Sequence, residues 1–126
     1  MPEGIPAKWN ELYYQYLGVK PQDDKTGVLQ DVHWSHGSFG YFPTYTLGSF
    51  YAAQFFHQAK KDIAGLDVQV TKGEFTSLLA WLHEKVHRHG RRYNSEELCE
   101  RITGRKLDTS FFMRYIEEKY KRVYPG

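Results

Sequence analysis

Apolar and aromatic side chains recur every three to four residues through most of this chain and almost never alternate along it. That spacing suits helices and leaves little room for a sheet. The longest run covers residues 44–63, where Leu47, Tyr51, Phe55 and Gln58 recur with Phe50, Ala52 and Ala59, and Pro43 suits a first turn. Its aromatic residues fall on more than one side, so this helix is expected to bury several faces. The fold class expected is all-α, with about five helices in a single helical domain or fragment spanning residues 1–126.

Local end signals place the other helices. Residues 7–17 follow Pro6 and carry Trp9, Leu12, Tyr13 and Tyr16, with Gly18 as a left-handed stop. Thr71-Lys72-Gly73-Glu74 has the spacing of a capping box, which predicts a third helix starting there, carrying Phe75, Leu78, Leu79, Leu82 and Val86 and ending at Gly90. Asn94 with Glu97 three residues on predicts a fourth, short helix stopped by Gly104. Asp108 or Thr109 is expected to cap a last helix with Phe111, Phe112, Tyr115, Ile116 and Tyr120, ended by Pro125.

Length allows a core, but 17% aromatic residues with ten tyrosines among 126 positions is more than a compact core hides easily. An exposed apolar surface is therefore expected. Seventeen basic against fifteen acidic residues give a formal charge of +2, too balanced to argue for nucleic acid as a partner. The basic cluster Lys85, Arg88, His89, Arg91 and Arg92 reads as a solvated helix end. Cys99 is the only cysteine, which excludes an internal disulfide and suits a reducing compartment, while lying among helical apolar positions as a packed thiol. No apolar run reaches membrane-spanning length and no leader pattern opens the chain, so a cytoplasmic, membrane-free protein is expected.

Chemistry concentrates between residues 27 and 48. Gln30, Asp31, His33, His36, Tyr41 and Tyr45 crowd among aromatics there, and Gly27, Gly37 and Gly40 allow sharp turns or close approach of a ligand. A lone histidine is usually a surface or hydrogen-bonded core residue. His33, beside Asp31 and Trp34 and twelve residues before Tyr45, stands in richer company. Asp31 fits as the carboxylate that orients a neighbouring imidazole or pairs with a cation, and Gln30 as a hydrogen-bond partner of backbone or of a peptide. Trp34 reads as packing and His36 as a solvated loop residue.

The stretch GVLQDVHW, with FGYFPTYTLG after it, resembles the GxxQDxHW signature of the Taq-type thermostable carboxypeptidases, helical zinc metallocarboxypeptidases. The resemblance extends through Trp9-Asn10, Tyr16-Leu17-Gly18, Tyr51-Ala52-Ala53-Gln54, the segment from His87 to Tyr93, and Phe111-Phe112-Met113-Arg114-Tyr115, covering roughly residues 6–124. It implies the C-terminal portion of an enzyme that removes single residues from the free C-termini of peptides. Members of the family are several-fold longer, so the zinc-binding portion, including the HExxH and its third ligand, a glutamate, is expected to be absent here.

That resemblance implies that His33 and Tyr45 donate hydrogen bonds to the oxyanion that develops in the transition state, with Tyr41 as an alternative donor and Gln30 and Asp31 as substrate-binding or supporting residues. It also implies zinc in the complete enzyme and none bound by this chain, a missing N-terminal metal-bearing partner portion, and a possible homodimer. The chain alone is expected to be inactive. A binding-module alternative makes it a non-catalytic interaction module, or a split-enzyme subunit pairing with a separate metal-bearing chain.

His83-Glu84-Lys85-Val86-His87 also fits HExxH, which on a helix aligns two imidazoles one turn apart around a zinc ion. Three fixed positions in five arise readily by chance in a chain with six histidines. Lys85 adds positive charge, the glutamates at 96, 97 and 100 follow too closely for a third ligand, and in the resembled family this helix is peripheral. The motif reads as a decoy, and a minimal independent metallopeptidase as the least favoured reading.

Overall fold

The computed structural model describes residues 2–125, without the Pro2 side chain, as six α-helices, short 3-10 turns and no strand among the described residues. The chain divides into two compact units, Met1–Thr44 and Tyr45–Gly126. Among the described residues, no helix is long and apolar enough to cross a membrane.

In the first unit α1 spans Ile5–Leu17. Pro6 lies in its first turn, where a missing N–H costs no helical hydrogen bond. Gly18, at φ 69°, ends it by donating its N–H to the Tyr14 carbonyl at 2.9 Å. Of Trp9, Leu12, Tyr13 and Tyr16, Tyr16 is 73% exposed, while Trp9 stacks on Tyr13 at 6.1 Å between ring centroids and meets the edge of Trp34 at 6.2 Å. Trp34 in turn lies 5.6 Å from Phe39, which makes it the packing residue anticipated. Gly27 and Val28 are buried at the start of the loop. A Cβ on Gly27 would meet the Asp23 carbonyl at 3.0 Å and the Pro21 Cβ at 3.1 Å, so glycine is needed there for close packing.

The second unit begins inside α2, Pro43–Asp62, which agrees with the sequence reading to within a residue at each end. Two corrections follow. Thr71 does not open a helix: it is the last residue of an unexpected helix, α3, Leu66–Thr71, and its hydroxyl donates to the Asp67 carbonyl at 2.8 Å. The Glu74 amide donates instead to the Gln69 carbonyl at 2.9 Å, so the capping box does not form. Gly73, at φ 76°, turns the chain, and α4 runs Thr76–Lys85 with Phe75 as a cap that makes no side-chain bond. The helix count therefore rises from about five to six. The cause is tertiary: Leu66 is 2% exposed in the core beside Ala59 and Trp81, and that burial anchors six residues whose local signals are weak.

The remaining helices follow their end signals. In α5, Ser95–Thr103, Asn94 and Glu97 form a complete capping box and Gly104 closes the helix. In α6, Ser110–Val123, Thr109 is the N-cap by position, but the Asp108 carboxylate accepts from the Ser110 amide at 2.9 Å. The core gathers Phe55, Ile63, Leu78, Leu82, Val86 and Ile102 around Ala59, Leu66 and Trp81, and the Trp81 indole N–H donates to Asp62 at 2.8 Å.

Gln54 on α2 is the most deeply placed polar side chain in this unit, 1% exposed. Its amide nitrogen donates to the Thr103 hydroxyl at 2.9 Å and the Lys106 carbonyl at 3.1 Å, and its oxygen accepts from the Asp108 amide at 2.8 Å. One amide thus ties α2 to the end of α5 and the start of α6.

Cys99 is wholly buried on α5, 3.9 Å from the Thr103 hydroxyl. Burial pushes its thiol up from the usual range, partly opposed by the Thr103 hydrogen bond and assisted by Glu100 and Glu96. The native chain is expected to react with a thiol reagent at pH 8 at least tenfold more slowly than the urea-unfolded chain. Equal rates would remove the packed-thiol assignment.

Candidate active site

The candidate segment is held by a turn and two 3-10 elements. The Asp23 carboxylate accepts from both the amide and the hydroxyl of Thr26 at 2.8 Å, and these two bonds hold its pKa below the usual carboxylate value. The Gln30 amide nitrogen donates to the Lys25 carbonyl at 2.5 Å, so this side chain braces the same turn. A first 3-10 turn, Val28–Gln30, leads into a second, Val32–His36.

Asp31 caps that second turn and does so twice. Its Oδ1 accepts from the His33 backbone N–H at 3.0 Å and lies 2.7 Å from His33 Nδ1. Both side chains are largely shielded, 11% exposed for Asp31 and 15% for His33. Shielding and a second hydrogen bond make the carboxylate a fixed partner, so it sets the orientation of the ring. The imidazole beside Asp31 is that of His33. With the Nδ1 hydrogen given to Asp31, Nε2 accepts hydrogen bonds in the neutral ring and donates them in the protonated one.

Aromatic neighbours complete the surroundings. The His33 ring lies 5.0 Å from Tyr41, 5.8 Å from Phe42 and 5.8 Å from His36. His36 Nδ1 sits 3.1 Å from the Ser38 hydroxyl in an exposed position, in keeping with a solvated loop residue. Asp31, His33, His36 and Tyr41 are thus brought together, while Gln30 is turned toward Lys25. Tyr45 belongs to the second unit, in the first turn of α2, with 57% of its surface exposed and its carbonyl accepting from Ser49.

The His83-to-His87 motif does not lie on one continuous α-helix. Regular helix ends at Lys85, Val86 caps it at φ −119°, ψ −64°, and His87 opens a separate 3-10 turn. Glu84 lies 3.4 Å from the Lys85 ammonium. Among the described residues, no three His, Cys, Asp or Glu side chains gather into a group that could hold a metal ion.

The second unit also carries a groove. It has a volume of about 850 Å³ and lies between α2 and α6. From α2 it is lined by Ser49, Ala52, Ala53, Phe56, His57 and Lys60, and from α6 by Phe111, Arg114, Tyr115, Lys119 and Arg122. The available signal was the α2 spacing itself, small residues followed by cations along one face.

Comparison with known proteins matches this chain to one family. The family model for carboxypeptidase Taq (M32) metallopeptidases matches residues 2–120. The thermostable carboxypeptidase 1 of Thermus thermophilus is 46% identical over 98% of this chain, and carboxypeptidase 1 of Bacillus subtilis is 43% identical over 97%. The crystal structure of the M32 carboxypeptidase from Deinococcus radiodurans R1 aligns with a TM-score of 0.91, at 38% identity and 98% coverage of this chain. The chain spans about a quarter of these proteins, 24% of the two curated relatives and 25% of the solved one.

Proposed function

Because the chain belongs to the carboxypeptidase Taq (M32) metallopeptidase family, we propose that it is the C-terminal portion of a zinc-dependent carboxypeptidase that removes single residues from peptides with a free C-terminus. The observation that carries this reading is the Asp31–His33 pair at 2.7 Å inside the GxxQDxHW stretch. Attack on a peptide carbonyl concentrates negative charge on its oxygen, and donors held ready for that charge lower the barrier without having to reorient. His33, locked by Asp31, and Tyr45, leading α2, are the donors. Tyr41 packs against the His33 ring and shields it.

Zinc, in this reading, belongs to the remaining three quarters of the polypeptide, together with the general base, and supplies the activated water. Alone, the 126-residue chain is inactive, and as a cytoplasmic enzyme the complete protein self-associates as a homodimer. The same reading covers a split enzyme in which the metal-bearing part is a second chain. Large exposed aromatic and aliphatic side chains, Phe39, Phe42, Leu79 and Tyr124 among them, support a chain that is normally covered by further protein.

The test is a chimera in which this chain replaces the corresponding quarter of the Thermus thermophilus relative. It is expected to release single residues from a peptide with a free C-terminus and to leave the C-terminally amidated peptide intact. A folded chimera that retains zinc yet hydrolyses neither peptide, or both equally, would sink the proposal.

A further inference from the structure

The groove between α2 and α6 carries a second, independent reading. Its α2 wall places Ser49, Ala52, Ala53 and Phe56 ahead of His57, Lys60 and Lys61, a spacing of three and four residues that puts all of them on one helical face. The small residues let another backbone come close. Its α6 wall adds Phe111 and Tyr115 with Arg114, Lys119 and Arg122. Phe56 is 38% and Tyr115 52% exposed, so aromatic surface lines a groove that nothing in this unit fills.

The charge is lopsided. Five cations, Lys60, Lys61, Arg114, Lys119 and Arg122, face two carboxylates, Asp67 and Glu118, and Asp67 is already held by Lys60 at 2.7 Å. His57, packed 4.7 Å from Phe111, senses the excess: burial first, then Lys61, Arg114, Lys60 and Arg105, hold its imidazole below the usual histidine value.

We infer that this groove docks an acidic amphipathic helix of the metal-bearing remainder of the enzyme, apolar side chains seated on Phe56, Phe111 and Tyr115 and carboxylates paired with Lys61, Arg114 and Arg122. A helix in a groove presents apolar anchors at i, i+3, i+4 and i+7, which matches two walls with that same repeat. Complementary charge sets register and speeds encounter. A second copy of the chain fits poorly. The groove would meet like charge from another groove, and the acidic helix α5 has turned Cys99 and Ile102 into its own core. The identity of the occupant rests on the function proposed above, whereas the groove's chemistry does not.

The test uses the 126-residue chain and a synthetic helical peptide with leucines at i, i+3, i+4 and i+7 flanked by glutamates, followed by fluorescence anisotropy. Saturable binding is expected, weakening as salt rises. It should fall about tenfold or more in Arg114→Glu/Arg122→Glu and in Lys61→Glu, each verified as folded by circular dichroism. No binding, equal binding of the peptide with lysines in place of glutamates, or unchanged binding in the folded variants would overturn the inference. Tighter binding to duplex DNA or to phosphatidylserine vesicles would replace the helix by another partner, and self-association of the chain that blocks the peptide would replace it by a second copy. Failure of the peptide leaves the chimera result untouched, and failure of the chimera leaves the peptide result untouched.

Discussion

In the chimeric enzyme, His33→Ala is expected to lower kcat by a factor on the order of 100 or more with little change in KM, and Tyr45→Phe to act in the same sense. A donor aimed at charge that exists only in the transition state contributes little to holding the substrate, so its removal falls on turnover. Asp31→Asn provides a finer test. Asparagine keeps an oxygen able to accept from the His33 amide and ring, but removes the charge shared by both 3.0 Å and 2.7 Å contacts. Residues that orient a catalytic group typically account for about 10–100-fold, so Asp31→Asn should lie between the parent and His33→Ala. His36→Ala, at an exposed loop position, should leave kcat near the parent value. If His33→Ala and Tyr45→Phe both retain most of the turnover, the donor assignment is wrong, whatever the chimera's activity.

The largest stability effect is expected at Gln54. Leucine has nearly the same volume but strands the Asp108 N–H and the Lys106 carbonyl, both satisfied by Gln54 alone among the hydrogen bonds observed there. An unsatisfied buried group costs about 1–3 kcal/mol, so Gln54→Leu should destabilise the second unit by roughly 3 kcal/mol. For a unit of this size the midpoint should fall by on the order of 10–20 °C. Gln54→Glu restores an acceptor but no donor and buries a charge, so it should rescue nothing. Thermal unfolding followed by circular dichroism distinguishes these outcomes, and a midpoint within a few degrees of the parent in Gln54→Leu would mean that water or local relaxation satisfies the freed groups.

Local chemistry was legible and tertiary chemistry was not. Gly18 as a helix stop, Pro43 at a first turn and the Asn94–Glu97 box all act within four residues, and each appears as expected. The Asp31–His33 contact is equally local, spanning only two residues. Thr71 failed for an instructive reason: the burial of Leu66 anchors a helix that ends at Thr71, so the residue read as a helix start closes one instead. The end of α4 at Lys85 and the groove between α2 and α6 depend on packing between segments distant in sequence, which periodicity alone does not report. The Gln54 amide is the extreme case, joining groups 49 to 54 residues away.

The Asp31–His33 pair also has a kinetic meaning. Carboxylate and imidazole are joined by two peptide units, so they meet at an effective concentration that no encounter between separate segments approaches. The entropy of fixing the ring is lost when a short loop closes, in microseconds or less, and not again at each turnover. In the function proposed above, an imidazole held in this way is ready before substrate arrives, because a short stretch of chain carries its own alignment.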